Sequence, residues 1–455
     1  MIERKSPDMK NIRLLFPALL VILTGCRTPD DLSQKALFTE DSLKQIAERI
    51  RVDFSVKENQ VITQIEKSDG PVSFEEWSTW ERKNWLEWRM IDGEKWYYNR
   101  AASNLLLLKK FYEQKGERII ETESDPDMMF RLKHTQQVLN ASDDQGNPVL
   151  PVKMEVTYTI TVDADAVPEG EMLHCWLPWP KEYNPRQREV KLLHTSNPEY
   201  IIAPDSAIHS TVYMEELSKR GVPTVFQISF AYVSAGQHFN LSQIKVLPYD
   251  KASINYKKYT SEQVPHICFT DNVKRLADSI CGVDNNPASI VSKIYFWFKE
   301  NIPWAGALEY SIIPNIPEYV IKNRKGDCGM QTFLFISMLR YKGIPVKWQS
   351  GWMMPPDNKN LHDWCEVYLE GTGWVPVDVS YDLQNSDHIP IREFYLSGID
   401  SYRLIVNDGI AEPLHPGKRY LRSEPYDFQR GEVEWKGGNL YFNKWNYNMK
   451  IRYLN

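Results

Sequence analysis

The stretch Arg324-Lys325-Gly326-Asp327-Cys328-Gly329-Met330, with the run Thr332–Tyr341 behind it, decides how this chain is read. The run is apolar nearly all round, which marks a helix buried on every side. Gly343 stops it as a C′ glycine, and Ile344-Pro345-Val346 leads into a strand. Cys328 therefore stands at or near the N-terminus of a buried helix. There the positive end of the helix dipole favours thiolate over thiol. The backbone N–H of Cys328 has no intrahelical acceptor, so it is available to a developing oxyanion. Taken alone, Gly-Asp-Cys describes an inert buried cysteine just as well.

The segment that follows changes that balance. Leu361-His362-Asp363-Trp364-Cys365-Glu366-Val367-Tyr368-Leu369 is a strand by its aromatic and β-branched content. Positions 362, 364, 366 and 368 share one face. Glu370-Gly371-Thr372-Gly373 is a hairpin turn, and Trp374-Val375-Pro376-Val377-Asp378-Val379-Ser380 returns antiparallel. The fold-back brings Asp378 beside His362. A thiolate nucleophile needs an imidazole to stabilise it as an ion pair and to protonate the leaving amine. A carboxylate on the imidazole fixes its tautomer. Asp378 alone is more often a strand-end cap.

Four segments, in order, resemble the transglutaminase-like superfamily: Gly326-Asp327-Cys328; Leu339-Arg340 with Gly343-Ile344-Pro345-Val346; His362-x-Trp364-x-Glu366-Val367-Tyr368; and Gly373-Trp374-Val375-Pro376-Val377-Asp378. The separations of Cys328 from His362 (34) and of His362 from Asp378 (16) are those of its compact bacterial members. The resemblance implies a papain-like α+β core, with Cys328 as nucleophile, His362 as general base and acid, and Asp378 as orienter. Asp363 stands where alanine is common, and Val379-Ser380 where Pro-Thr is usual; neither removes a catalytic group. A second oxyanion donor is a tryptophan in animal relatives, and Trp304 is a candidate by position. Cys365 faces away from His362 and is read as packing. His266, His388 and His415 have no partner pattern and are read as structural or exposed.

The triad implies acyl transfer through a Cys328 thioester. Water as acceptor makes a protease or amidase; a lysine amine makes a cross-linking transglutaminase. A non-catalytic, lipid-tethered peptide- or glycan-binding module is the alternative of a different class. Hydrolysis of a peptide, protein or peptidoglycan-type amide is the expectation, with no cofactor: no Cys-x-x-Cys or Cys/His pair has metal-ligand spacing.

The 455 residues exceed one ordinary core and imply two or three domains. The net charge of −6, without a basic stripe, argues against nucleic acid as partner. Lys10 and Arg13 precede an apolar run, Leu14 to Leu23, that is too short to span a bilayer and has the form of a secretory signal. Its ending, Leu23-Thr24-Gly25-Cys26, resembles the bacterial lipobox, which implies lipidation of Cys26 and membrane contact through that lipid alone. The expected location is extracytoplasmic, on the outer membrane. The other five cysteines are too sparse to staple the fold, and their odd number requires at least one free thiol.

The organisation read from pattern is a signal at 1–25, a mostly helical Trp-rich region at 26–145, and a β-sandwich-like domain at 150–250. A transglutaminase-like catalytic domain at 262–400 and a C-terminal β extension at 401–455 complete it. Ser73 with Glu76 forms a capping box. The spacing of Trp77, Trp80, Trp85 and Trp88 predicts one helical face that packs against a neighbour rather than a sugar-stacking platform.

Overall fold

The computed structural model describes residues 40–113, 126–143, 145–356, 358–381, 383–384 and 386–454. The signal segment and the lipidation site expected at Cys26 lie outside them. The fold is α+β, with helices set against antiparallel sheets.

The N-terminal region carries α1 (Glu40–Asp53), β1 (Phe54–Val56), α2 (Glu58–Asp69), α3 (Phe74–Arg82), β2 (Trp88–Ile91), β3 (Glu94–Tyr98), α4 (Ala101–Glu113) and α5 (Pro126–Ala141). Strands β1, β3 and β2 make a small sheet within this otherwise helical stretch. Both halves of the Ser73 capping box form, since Ser73 Oγ accepts from Glu76 N–H and the Glu76 carboxylate accepts from Ser73 N–H. The four tryptophans do not share one helix. Trp77 and Trp80 are buried on α3, but that helix ends at Arg82. Trp85 stacks on Tyr112 in the turn beyond, and Trp88, on β2, is exposed. Asn84 takes a positive φ of 54°, which breaks the helical period between the two pairs.

Two five-stranded sheets follow. One is ordered β13-β9-β4-β17, with β6 also on β9; the other is β16-β15-β5-β8-β7. They contain β4 (Val149–Val162), β5 (Met172–Pro178), β6 (Gln187–Thr195), β7 (Tyr200–Ile202), β8 (Thr211–Leu217) and β9 (Thr224–His238). On β4, Met154, Val156, Tyr158, Ile160 and Val162 are buried in strict alternation, the period of a strand with one covered face. They meet Leu173, Cys175 and Trp176 of β5 and Phe226, Ile228 and Phe230 of β9 in one sandwich core. The C-terminal residues complete both sheets: β15 (Glu432–Trp435) pairs with β5, β16 (Gly438–Leu440) with β15, and β17 (Trp445–Leu454) with β4 along its whole length.

Between these halves of the sandwich run α6 (Ile254–Thr260), α7 (Asp271–Cys281), α8 (Pro287–Asn301), α9 (Ile316–Asn323) and α10 (Cys328–Tyr341). Strands β10 (Val346–Met353), β11 (Asn360–Leu369) and β12 (Gly373–Val377) come next, then α11 (Ile389–Arg392), β13 (Gly398–Ile399) and β14 (Arg403–Asn407). The sheet order is β12-β11-β10-β14. Asn286 caps α8 through Ser289 N–H, with Pro287 at the first turn. Every residue of α10 from Cys328 to Arg340 is buried. Its side chains share a core with Cys365, Val367 and Leu369 on the odd-numbered face of β11. The five described cysteines, Cys175, Cys268, Cys281, Cys328 and Cys365, are all free thiols.

Candidate active site

Three local devices place the chemical groups. Asp327 is the N-cap of α10: its Oδ1 accepts from Met330 N–H at 2.9 Å and from the Tyr310 hydroxyl at 2.7 Å. Cys328 is thereby fixed at the first helical position, ahead of any intrahelical acceptor for its N–H. The β11–β12 register, Cys365 opposite Val377 and Leu369 opposite Gly373, puts Asp378 just beyond β12 on the face shared by His362 and Trp364. His362 Nε2 lies 2.7 Å from Asp378 Oδ2. That bond leaves Nδ1 as the ring nitrogen open to a proton exchange.

Asp378 is fully buried and held from several sides. Arg403 Nη1 donates to its Oδ2 at 3.0 Å, and Ser380 Oγ and Tyr381 N–H donate to its Oδ1. Burial alone would raise its pKa; His362 and Arg403 outweigh this and hold the carboxyl well below its usual range. The imidazole is clamped between Trp364, stacked at a centroid distance of 6.0 Å, and Tyr381, edge-on at 5.1 Å. Arg403 in turn pairs with Asp400 and lies over the Trp364 and Tyr381 rings.

Cys328, His362 and Trp304 line one cavity of about 240 Å³. Trp304 is half exposed and joined to Gly326 by a parallel bridge, one turn of chain from the thiol. Among the described residues no hydrogen bond joins Cys328 to His362. The thiol donates instead to Asp363 Oδ2, 3.2 Å away. Asp363 reaches the thiol because odd positions of β11 face α10, so the residue after His362 points at the helix N-terminus. Its other oxygen accepts from Gln429 Nε2 at 2.9 Å, and the same amide bonds the His362 carbonyl. Gly329 makes room for this contact: a Cβ there would lie 2.1 Å from the Tyr310 hydroxyl and 2.8 Å from Asp363 Oδ2.

The electrostatics at the sulfur run against the dipole argument from sequence. Burial first, then the neighbouring Asp363 and Asp327 carboxyls, push the Cys328 thiol well above its ordinary value. In this arrangement the group is a neutral thiol, to be deprotonated when it reacts, rather than a standing thiolate. Asp363 itself is driven far up by burial and by Asp427 and Asp327.

The remaining candidates fall as follows. Cys365 is buried and gives its S–H to the Val377 carbonyl at 3.6 Å. His266 is buried and accepts from Ile316 N–H; His388 and His415 are exposed. Sequence reasoning missed Asp363, Gln429 and Arg403, and also the contribution of α5, whose Asp127, Phe130, Arg131 and His134 line the cavity. Only Asp363 left a signal, as an acid in a position where alanine is common.

A thiol and an imidazole lining one cavity, with a buried carboxylate behind the imidazole, are groups that can carry acyl transfer through a cysteine. Residues 274–379 match the family model of the transglutaminase-like superfamily, and this segment is a transglutaminase-like domain. An uncharacterised protein of Haemophilus influenzae is 24% identical over 265 residues, spanning 49% of this chain and 67% of its own length. Among solved structures, a candidate cysteine protease of Cytophaga hutchinsonii aligns over 68% of this chain and 92% of its own, at 15% identity and a TM-score of 0.46. The periplasmic domain of TgpA from Pseudomonas aeruginosa aligns over 58% of this chain and 94% of its own, at 14% identity and a TM-score of 0.28.

Proposed function

We propose that this chain is a cysteine hydrolase that cleaves a peptide-type amide through a Cys328 thioester. The observation that carries the reading is the shared cavity: Cys328 at a helix N-terminus, opposite an imidazole whose far nitrogen is bonded to a buried carboxylate. In the first half-reaction Sγ attacks the amide carbonyl as His362 Nδ1 takes its proton. The oxyanion is met by the Cys328 N–H, and Trp304, lining the same cavity, is the second donor in this reading. Collapse breaks the C–N bond, and the amine leaves with the proton from His362. In the second half-reaction His362 deprotonates a water, which attacks the thioester; the acid leaves and the thiol is restored. Asp378 holds the ring through Nε2 and balances the imidazolium that forms twice per cycle.

Water as acceptor, rather than a lysine amine, is supported by the resemblance of the sequence to bacterial members of the superfamily. The same reading places the protein outside the cytoplasm on a Cys26 lipid, probing peptide or peptidoglycan-type amides. Among the described residues no helix is long and apolar enough to cross a membrane. The test is incubation of the full-length protein with peptide, peptidoglycan and glycopeptide libraries plus a free amine, read by mass spectrometry. New carboxyl ends are expected with the wild type and are expected to vanish in Cys328→Ala and His362→Ala. Amine-linked products in place of acids would assign cross-linking, and cleavage that survives Cys328→Ala would end the proposal.

A further inference from the structure

Part of the wall of the cavity comes from α5, an element outside the transglutaminase-like segment. Arg131 of α5 is half-buried there, with its guanidinium carbon 5.2 Å from the Tyr381 ring centroid, and Tyr381 is the ring set edge-on against His362. Among the described residues no carboxylate lies within ion-pair reach of Arg131. The acids around it are engaged elsewhere. Asp378 is bonded to His362 and Arg403, Asp400 accepts from Arg403 Nε and Tyr402 N–H, and Asp127 accepts from Asn358. His134, on the same helix, accepts from Ser401 N–H, and burial lowers its pKa, so it adds no standing positive charge. Of the other cations around Tyr381, Arg403 is paired with Asp378 and Asp400, and Lys299 donates to the Val379 and Tyr381 carbonyls.

A partly desolvated guanidinium without an anion is costly, and its planar donor fork matches a carboxylate. Phe130, Met353, Tyr395 and Tyr402 give the wall an aromatic and apolar part, which strengthens an ion pair made against it; the Asp127 and Asp400 carboxyls in the same wall are already bonded to other groups. At about 240 Å³ the space lies below the usual range of small-molecule pockets, which starts near ~300 Å³, and suits one residue-sized group.

We infer that Arg131 is a specificity residue that binds a carboxylate of the substrate beside the scissile amide, so that the substrates are peptides with a free carboxylate at the residue entering this cavity. The inference rests on Cys328 being the nucleophile. The carboxylate is either a chain terminus or an acidic side chain; the chemistry at Arg131 is the same.

Iodoacetate and iodoacetamide differ in this one respect, a carboxylate against a neutral amide, and both alkylate a thiol. The rates of Cys328 modification by each are read by peptide mass spectrometry in the full-length protein. The ratio of iodoacetate to iodoacetamide is expected to fall about fivefold or more in Arg131→Gln and to be restored in Arg131→Lys. High salt is expected to lower it in the wild type. An unchanged ratio in Arg131→Gln, with Cys328 still labelled, overturns the inference alone. Failure of both reagents to label Cys328 overturns the nucleophile reading and this inference with it. Two protectants then separate the sources: acetyl-alanyl-alanine carries a terminal carboxylate, and N-acetyl-glutamic acid α-amide carries only a side-chain one. The one that slows iodoacetamide labelling in the wild type and not in Arg131→Gln identifies the source; protection by neither counts against carboxylate recognition.

Discussion

Asp363 is the residue that most alters the picture of the nucleophile. It fills a position where a small side chain is common, and it uses the space to hold the thiol. Once ionised, its carboxyl adds negative potential at the sulfur, over and above the burial that already disfavours a thiolate. Asp363→Asn keeps the shape and cannot acquire that charge as the pH rises. The expected outcome is a lower Cys328 pKa, read as a shift of the iodoacetamide labelling profile toward lower pH; an unmoved profile would show that Asp363 does not control the thiol. Arg403 is a second residue with a definite expectation. It is fully buried between Asp378 and Asp400, so Arg403→Met strands two buried carboxylates. A loss of roughly 3–5 kcal/mol is expected in denaturant unfolding. Cys328, His362 and Asp378 were legible because motif and spacing name them. Asp363 was visible only as an oddity, since its partner depends on which face of β11 meets α10. Arg403 and Gln429 were not legible at all, because nothing local ties them to residues so far away in sequence.

At the scale of elements, local chemistry was a good guide where it stays local. The Ser73 cap and the glycine after α10 both follow from neighbours within a turn. The tryptophan stripe failed because a periodic pattern does not show where a helix stops, and Asn84 turns the chain between the two pairs. The pairing of β10 with β14 depends on a contact no pattern reveals. At Gly351 a Cβ would lie 2.0 Å from the Leu404 carbonyl oxygen, backbone that cannot give way. Gly351→Ala is therefore expected to part these strands and cost more than about 2 kcal/mol, measured by thermal or denaturant unfolding. Stability within a few tenths of the wild type would mean that the strands sit farther apart. The strands β15, β16 and β17 were read as an extension; the structure builds them into the two sheets of the sandwich.

At the scale of the molecule, the surroundings of the thiol form a buried acidic region. Burial pushes Asp427 up to about 8, Asp53 up to about 7 and Asp327 up to about 6, and Asp363 well above its ordinary value. The folded state holds these protons after the unfolded chain, with carboxyls near 3.8, has released them. Fewer protons on the unfolded chain mean that stability falls as pH rises from about 4 through about 8. Asp378, Asp400 and Glu432, held below their usual values, act the other way and lose their contribution as pH falls through and below about 4. Melting temperature is expected to be highest near pH 5 and to decline toward pH 8.5, with a shallower decline in Asp427→Asn; a flat or rising profile over that range would contradict this reading of the region. Such a site exists only when α5, α10, the β11–β12 hairpin and the C-terminal segment carrying Gln429 are assembled together, so its chemistry is measured on the whole protein. The most direct measurement is the rate at which iodoacetamide modifies Cys328 under native conditions near neutral pH, wild type against His362→Ala, followed by peptide mass spectrometry. A thiol deprotonated by His362 predicts modification of Cys328 ahead of the other buried cysteines and a slowing of about tenfold or more in His362→Ala; equal rates in the two proteins would contradict it.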